Sequence, residues 1–222
     1  LKDIRELTPA ERPLYVICTP EAYSMHYESY LPTVKDYINV YRQLSKRIKA
    51  EVDPNAKVGV TLCGPSLYRA ILADPNNWLR WEGDLEYTQG SRVIEWHTSL
   101  AEDQSWFDAI DMHMYISPTT DVNVTADEFM QSEITGATYI YGQGLHEISR
   151  LFPEKEIWNT EWNAYDMQFS KGTWEEKGRA NTQKTVGSAL VVMKAMGDQM
   201  VNEDLKISSY FIIRDVQGFG MI

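Results

Sequence analysis

Two periods of apolar and polar residues alternate along this chain. Runs that are continuously apolar or repeat every second residue predict strands at residues 14–19, 57–62, 107–116, 156–163 and 207–213. Helical spacing fills the intervals. Thr33-Val34-Lys35-Asp36 reads as a helix start, followed by Tyr37, Ile38, Tyr41, Leu44 and Ile48, and Asp53-Pro54-Asn55 stops that helix. Residues 93–100 and 185–200 each predict a helix, and residues 125–151 predict one or two, broken between Gly136 and Gly144. The Pro-, Asn- and Trp-containing stretch between Leu62 and Val93 reads as a long loop, and residues 166–177 as a polar one.

The five strands recur at roughly 45 to 50 residues, each pair separated by helical pattern, which is the sequence form of βα units in a parallel sheet. No Gly-rich phosphate fingerprint follows the first strand, so a dinucleotide-binding sheet is unsupported. A complete (β/α)8 barrel uses about 250 residues at about 30 per unit, and the units here are longer. The expectation is therefore an α/β protein of the (β/α)8 TIM-barrel class. Residues 1–222 would form the C-terminal part of a single catalytic barrel, strands 4 to 8, with the first three βα units outside this sequence.

Composition narrows the partners. With 222 residues and a formal charge of −11, the chain is large enough for one sizeable core and lacks the clustered basic residues of a nucleic-acid surface. Its densest basic stretch, residues 42–49, reads as the wet face of a helix. No run approaches the roughly 20 apolar residues of a membrane span. The chain opens Leu1-Lys2-Asp3-Ile4-Arg5, from which no compartment is read. Cys18 and Cys63 form neither a disulfide framework nor a zinc pattern and read as buried thiols, although neighbouring strands would allow a bridge. Asn123-Val124-Thr125 is a glycosylation sequon, while Thr125-Ala126-Asp127-Glu128 is also a capping box.

Candidate chemistry gathers where predicted strands end. In residues 156–163, period 2 puts Ile157, Asn159, Glu161 and Asn163 on one face and Trp158, Thr160 and Trp162 on the other. In residues 107–116 it puts Asp111, His113 and Tyr115 together. The first strand runs out through Thr19-Pro20-Glu21. Two carboxylates from different strands, converging on His, Tyr, Asn and Trp, are what glycoside hydrolysis requires: one acid protonates the leaving oxygen while the other attacks or activates water, and aromatic rings meet sugar C–H groups. A solvated edge strand and a core histidine are the structural alternatives. A metal-dependent hydrolase on Asp111, His113 and Glu161 is another, but the chain has four histidines, His26, His97, His113 and His146, two of them on helical stretches.

Thr160-Glu161-Trp162-Asn163, His113-Met114-Tyr115 and Glu21, in this order and spacing, resemble retaining glycoside hydrolases of clan A. They are most similar to the family 51 α-L-arabinofuranosidases, with families 39 and 5 as neighbours. The resemblance implies that Glu161 is the nucleophile, in a motif that reads Asp-Glu-Trp-Asn in the family, and that Glu21 is the acid/base. It implies that His113 or Tyr115 orients Glu161, that Trp162 floors the sugar site, and that Asn159 and Asn163 complete the substrate contacts. Trp78, Trp81 and Trp174 would extend the cleft. The implied partners are a plant- or algal-type polysaccharide or oligosaccharide and the rest of the barrel, with no cofactor and no metal. One position departs: Pro20 stands where the family has an Asn that bonds the sugar 2-hydroxyl, and proline has no amide to offer. The alternative that this departure raises is a carbohydrate-binding or structural glycoprotein barrel without catalysis.

Overall fold

The computed structural model describes residues 1–24, 27–74, 78–81, 85–116, 126–163 and 186–210. Five strands form one sheet: β1 (Tyr15–Cys18), β2 (Lys57–Leu62), β5 (Ala109–His113), β6 (Glu156–Trp162) and β7 (Leu205–Tyr210). Every neighbouring pair is parallel, and the spatial order β1-β2-β5-β6-β7 is also the chain order. A doubly wound sheet reverses its order at a switch point. This sheet does not, so the chain winds in one direction as a barrel wall does.

Helices make the crossovers. Between β1 and β2 lies α2 (Val34–Glu51), which begins where the sequence signals: Thr33 Oγ1 accepts from Asp36 N at 3.2 Å, and Asp36 returns a carboxylate oxygen to Thr33 N at 3.2 Å. The short α1 (Lys2–Leu7), which the sequence pattern does not announce, is tied to the entry of β1 by Arg5, whose Nη1 donates to Asp53 at 2.6 Å. Residues 63–92 are not one long loop. Gly64 caps α3 (Pro65–Ala73), and Pro65 is its first residue, where a missing N–H costs nothing. An antiparallel pair follows, β3 (Trp78–Trp81) with β4 (Leu85–Gln89), before α4 (Gly90–Glu102). The break expected between Gly136 and Gly144 takes the form of a π-helical turn rather than a loop. α5 (Ala126–Tyr139) passes through a π-helical turn (Ile140–Gly144) into α6 (Leu145–Leu151). α7 (Val186–Met200) leads to β7. Residues 166–177 and 211–213, the predicted polar loop and the end of the fifth strand, lie outside the described residues.

One face of the sheet packs under the helices. Val58, Val60, Leu62, Ile110, Met112 and Ile157 join Tyr37, Trp96, Leu100, Ile140 and Ile148 in the main core. The opposite face carries Trp158, whose ring lies over Gly59: a Cβ there would sit 2.6 Å from Trp158 Cζ3. Tyr15 meets the same indole edge-on at 5.4 Å and is itself half exposed. Below them Lys57 pairs with Glu156, whose second oxygen takes the Trp158 indole N–H at 3.1 Å. This inner face becomes polar toward the strand C-termini, where Thr61, Asp111 and Thr160 follow.

Cys18 and Cys63 are free and buried. Cys18 pairs with Val60, so Cys63 lies three residues farther along β2, roughly 10 Å away at strand rise, beyond the reach of a disulfide.

Candidate active site

Glu161 reaches the C-terminal edge of the sheet through a bulge. Met112 pairs with Asn159, but His113 pairs with Glu161, so two residues of β6 face one step of β5. The unbroken period expected for residues 156–163 is therefore corrected. Thr160 and Glu161 both face inward: the Thr160 hydroxyl donates to Asp111 Oδ1 at 2.6 Å, and the Tyr115 hydroxyl donates to Glu161 Oε1. Ile157 and Asn159 go to the helix side before the bulge, and Trp162 goes there after it. Pairing then continues past β5, with Met114 N donating to Glu161 O at 3.0 Å and Ile116 N to Asn163 O at 2.9 Å.

Glu21 arrives from the other side, on the turn after β1. Tyr37 Oη donates to Cys18 O at 2.8 Å and Thr61 Oγ1 to Thr19 O at 3.0 Å, holding the strand end. Thr19 (φ 57°) and Glu21 (φ 47°) are both left-handed on either side of Pro20. Such a conformation at non-glycine residues costs on the order of 1–3 kcal/mol each and persists only where the surroundings impose it. It turns the Glu21 carboxylate toward His113.

His113 joins the two acids. Its Nδ1 lies 3.1 Å from Glu21 Oε1 and 3.5 Å from Glu161 Oε2. The two carboxylates thus approach to no more than the sum of these distances, 6.6 Å (3.1 plus 3.5). Both side chains stay about a quarter open, 25% and 28% exposed, whereas His113 is almost enclosed. Burial works against its protonation, but the Glu21 hydrogen bond and the charges of Glu21, Glu161 and Asp111 outweigh it, and its pKa stands above the usual imidazole value. One layer down, Asp111 is fully buried between Thr160 and Thr61, and burial raises its pKa against the hydrogen bonds that lower it.

The floor is shaped by small and neutral groups. At Gly64 a Cβ would lie 2.7 Å from the His113 carbonyl oxygen, so the chain after β2 passes against the backbone of the histidine. His97, stacked on Tyr68 with centroids 3.9 Å apart, accepts from Cys63 N at 3.2 Å, which places its proton on Nδ1. Burial drives its pKa down to about 3.

The structure thus brings Glu21, His113, Tyr115 and Glu161 together. It takes Asn159 and Trp162, expected as substrate contacts, to the helix side. Asn159 is fully buried: one end of its amide meets Gln199 at 2.9 Å, and its nitrogen, assigned from its neighbours, faces Met112 O and Glu161 O at 3.1 Å each. Trp162 packs edge-on against Tyr141 and Tyr210, at 6.4 and 5.0 Å, inside the core. Asn163 is buried and accepts from the Tyr210 hydroxyl at 2.7 Å. The bulge separates Asn159 from Glu161, whereas Trp162, the neighbour of Glu161, alternates to the helix side as period 2 already has it. Asn123 and Trp174 lie outside the described residues, as do the side chains of Trp78 and Trp81. Among the described residues, no three His, Cys, Asp or Glu side chains are grouped to hold a metal ion, and no helix is long and apolar enough to cross a membrane.

No protein-family model matches the chain, and no curated protein matches it. Among solved structures it is similar to a glycoside hydrolase family 44 endoglucanase produced by Clostridium acetobutylium ATCC 824. The TM-score is 0.46 and the identity 10%, over 89% of this chain and 41% of that one. The chain spans less than half the length of that enzyme, and a likeness of this degree decides neither family nor activity.

Proposed function

We propose that this chain carries the catalytic carboxylates of a retaining glycoside hydrolase, with the five strands as strands 4 to 8 of a (β/α)8 barrel. The observation that carries the reading is the pair Glu21 and Glu161, held from different strands on one histidine within 6.6 Å (3.1 plus 3.5) of each other. Inverting enzymes leave about 6.5–9.5 Å between their acids for a water, and retaining ones about 5–5.5 Å for direct attack. An upper bound at the short edge of the inverting range admits the retaining spacing, which the proposal adopts with the family resemblance.

In this reading Glu161 attacks the anomeric carbon while Glu21 protonates the departing oxygen, and Glu21 then deprotonates the water that cleaves the glycosyl ester. Tyr115 fixes the orientation of Glu161 by its hydrogen bond. His113 holds the two acids in register and answers their charge. Among the described residues β1 and β7 have no neighbour on their outer edges, and Tyr15 and Ile17 expose the inner face of β1. Three further strands of a whole barrel would cover these surfaces.

The test is turnover by the intact protein of aryl glycosides of arabinose, xylose, glucose and galactose, with the product anomer read by NMR. At least one is expected to turn over with retention. An inverted product would remove Glu161 as nucleophile. Binding of oligosaccharides with no turnover would favour the non-catalytic carbohydrate barrel, the reading that the missing amide at Pro20 keeps in view.

A further inference from the structure

The turn that delivers Glu21 is held at a distance by one side chain of α4. Arg92 Nε donates to Tyr23 O at 2.9 Å, Nη2 to Leu31 O at 2.9 Å and Nη1 to Pro32 O at 2.6 Å. One planar fork therefore grips both limbs of the segment from Pro20 to Thr33, just behind Glu21 and just ahead of α2. The guanidinium also lies over the Trp96 ring, 4.9 Å from its centroid, which fixes its plane. Ala22, Tyr23, Ser24 and Leu31 are buried, so both limbs are packed as well as bonded. The left-handed residues Thr19 and Glu21 need such surroundings, because neither side chain favours that conformation.

We infer that Arg92 is a positioning residue for Glu21: by pinning both limbs of the turn it keeps the Glu21 carboxylate on His113 Nδ1. Its effect on rate rests on the glycosidase reading; its effect on the Glu21–His113 contact does not. Lysine cannot replace it, since a single ammonium cannot reach three carbonyls that a rigid fork meets at once.

The experiment uses the intact protein with Arg92→Lys, Arg92→Ala and Glu21→Gln, each checked for folding by near-ultraviolet circular dichroism. Arg92→Lys keeps the charge over Trp96, so a folded variant is available. First, the His113 imidazole is titrated by NMR, its signal assigned from a His113→Gln sample. The pKa is expected to fall in both Arg92 variants toward its value in Glu21→Gln. A His113 pKa that stays at the wild-type value in the Arg92 variants while falling in Glu21→Gln overturns the inference. So does one that Glu21→Gln leaves unmoved. Second, kcat/KM, which reports the glycosylation step, is compared on aryl glycosides with good and poor leaving groups. Misplacing a catalytic group by about 1 Å costs on the order of 100-fold, so kcat/KM on poor leaving groups should fall about 100-fold while that on good ones is nearly spared. Equal loss on both would mark Arg92 as a structural residue and overturn the inference. A wild type without turnover refutes the glycosidase reading, and the His113 titration then decides the positioning role by itself.

Discussion

Asn159→Ala separates the observed site from the one expected of an unbroken strand. The amide is fully buried between Gln199 at 2.9 Å and the carbonyls of Met112 and Glu161 at 3.1 Å, the two backbone groups that the bulge sets apart. Truncation removes the amide's contacts with both carbonyls and with Gln199, although Glu161 O keeps Met114 N at 3.0 Å and Gln199 Oε1 keeps the Ser208 hydroxyl at 2.8 Å. An unsatisfied buried polar group costs about 1–3 kcal/mol. About 1–3 kcal/mol is therefore expected in all, read as a lowered urea midpoint of the intact protein. Loosening the bulge also lets the Glu161 backbone move, and a displacement near 1 Å lowers kcat on the order of 100-fold with little change in KM. A sugar-contacting Asn159 would behave in the opposite way, with KM raised and stability unmoved. That outcome, or a stability change under about 0.5 kcal/mol, would refute the bulge-clamp role.

Other consequences are as specific. Glu161→Gln should abolish turnover, whereas Glu21→Ala should spare kcat/KM on substrates with good leaving groups while its slowed second step is rescued by azide as a glycosyl azide; equal losses in both would contradict the assigned roles. Gly64→Ala should destabilise by about 1–3 kcal/mol and shift the His113 NMR signals, because the new methyl would meet the His113 carbonyl at 2.7 Å before relaxation. His97 is neutral when folded, with a pKa of about 3 against about 6.5 unfolded, so its contribution to stability is complete above 6.5 and is lost as pH falls toward 3. Replacing it with Gln should flatten the acid limb of a stability profile by up to about 1.4 kcal/mol per pH unit in that window. His113 has the opposite sign. Its raised pKa adds stability below the unfolded value that is lost as pH rises through the folded one, and esterifying Glu161 should lower that pKa by removing a charge.

The strands were legible in the sequence because parallel strands buried on one or both faces read as apolar runs, and 57–62 was placed to the residue. The helix over Tyr37 to Ile48 was legible from its capping box. Pro65 was misread as loop punctuation, although at a first helical position it signals a start. The hairpin of β3 and β4 escaped because its four- and five-residue strands carry polar, Trp-containing sequence with no sustained period. Within the site, Glu161, His113, Tyr115 and Glu21 could be named from residue type and strand position. The bulge could not, because Ile157 to Asn163 is equally compatible with an unbroken period 2, and only the pairing with β5 reveals the extra residue. That extra residue separates Asn159 from Glu161; Trp162 alternates with Glu161 in either case, and its place under the sugar was implied by the resemblance alone. The Arg92 contacts join residues some 60 positions apart and leave no local pattern.

The central claim is that Glu161 becomes covalently bound to sugar. A slow activated 2-deoxy-2-fluoro glycoside of whichever sugar the intact protein accepts should trap the ester, because the fluorine slows its breakdown and the good leaving group lets it form. Peptide mass mapping is expected to place one sugar on the peptide holding Trp158 to Trp162, at Glu161, and none in Glu161→Gln. A label on another carboxylate, or turnover with no trapped ester and an inverted product, would contradict the account.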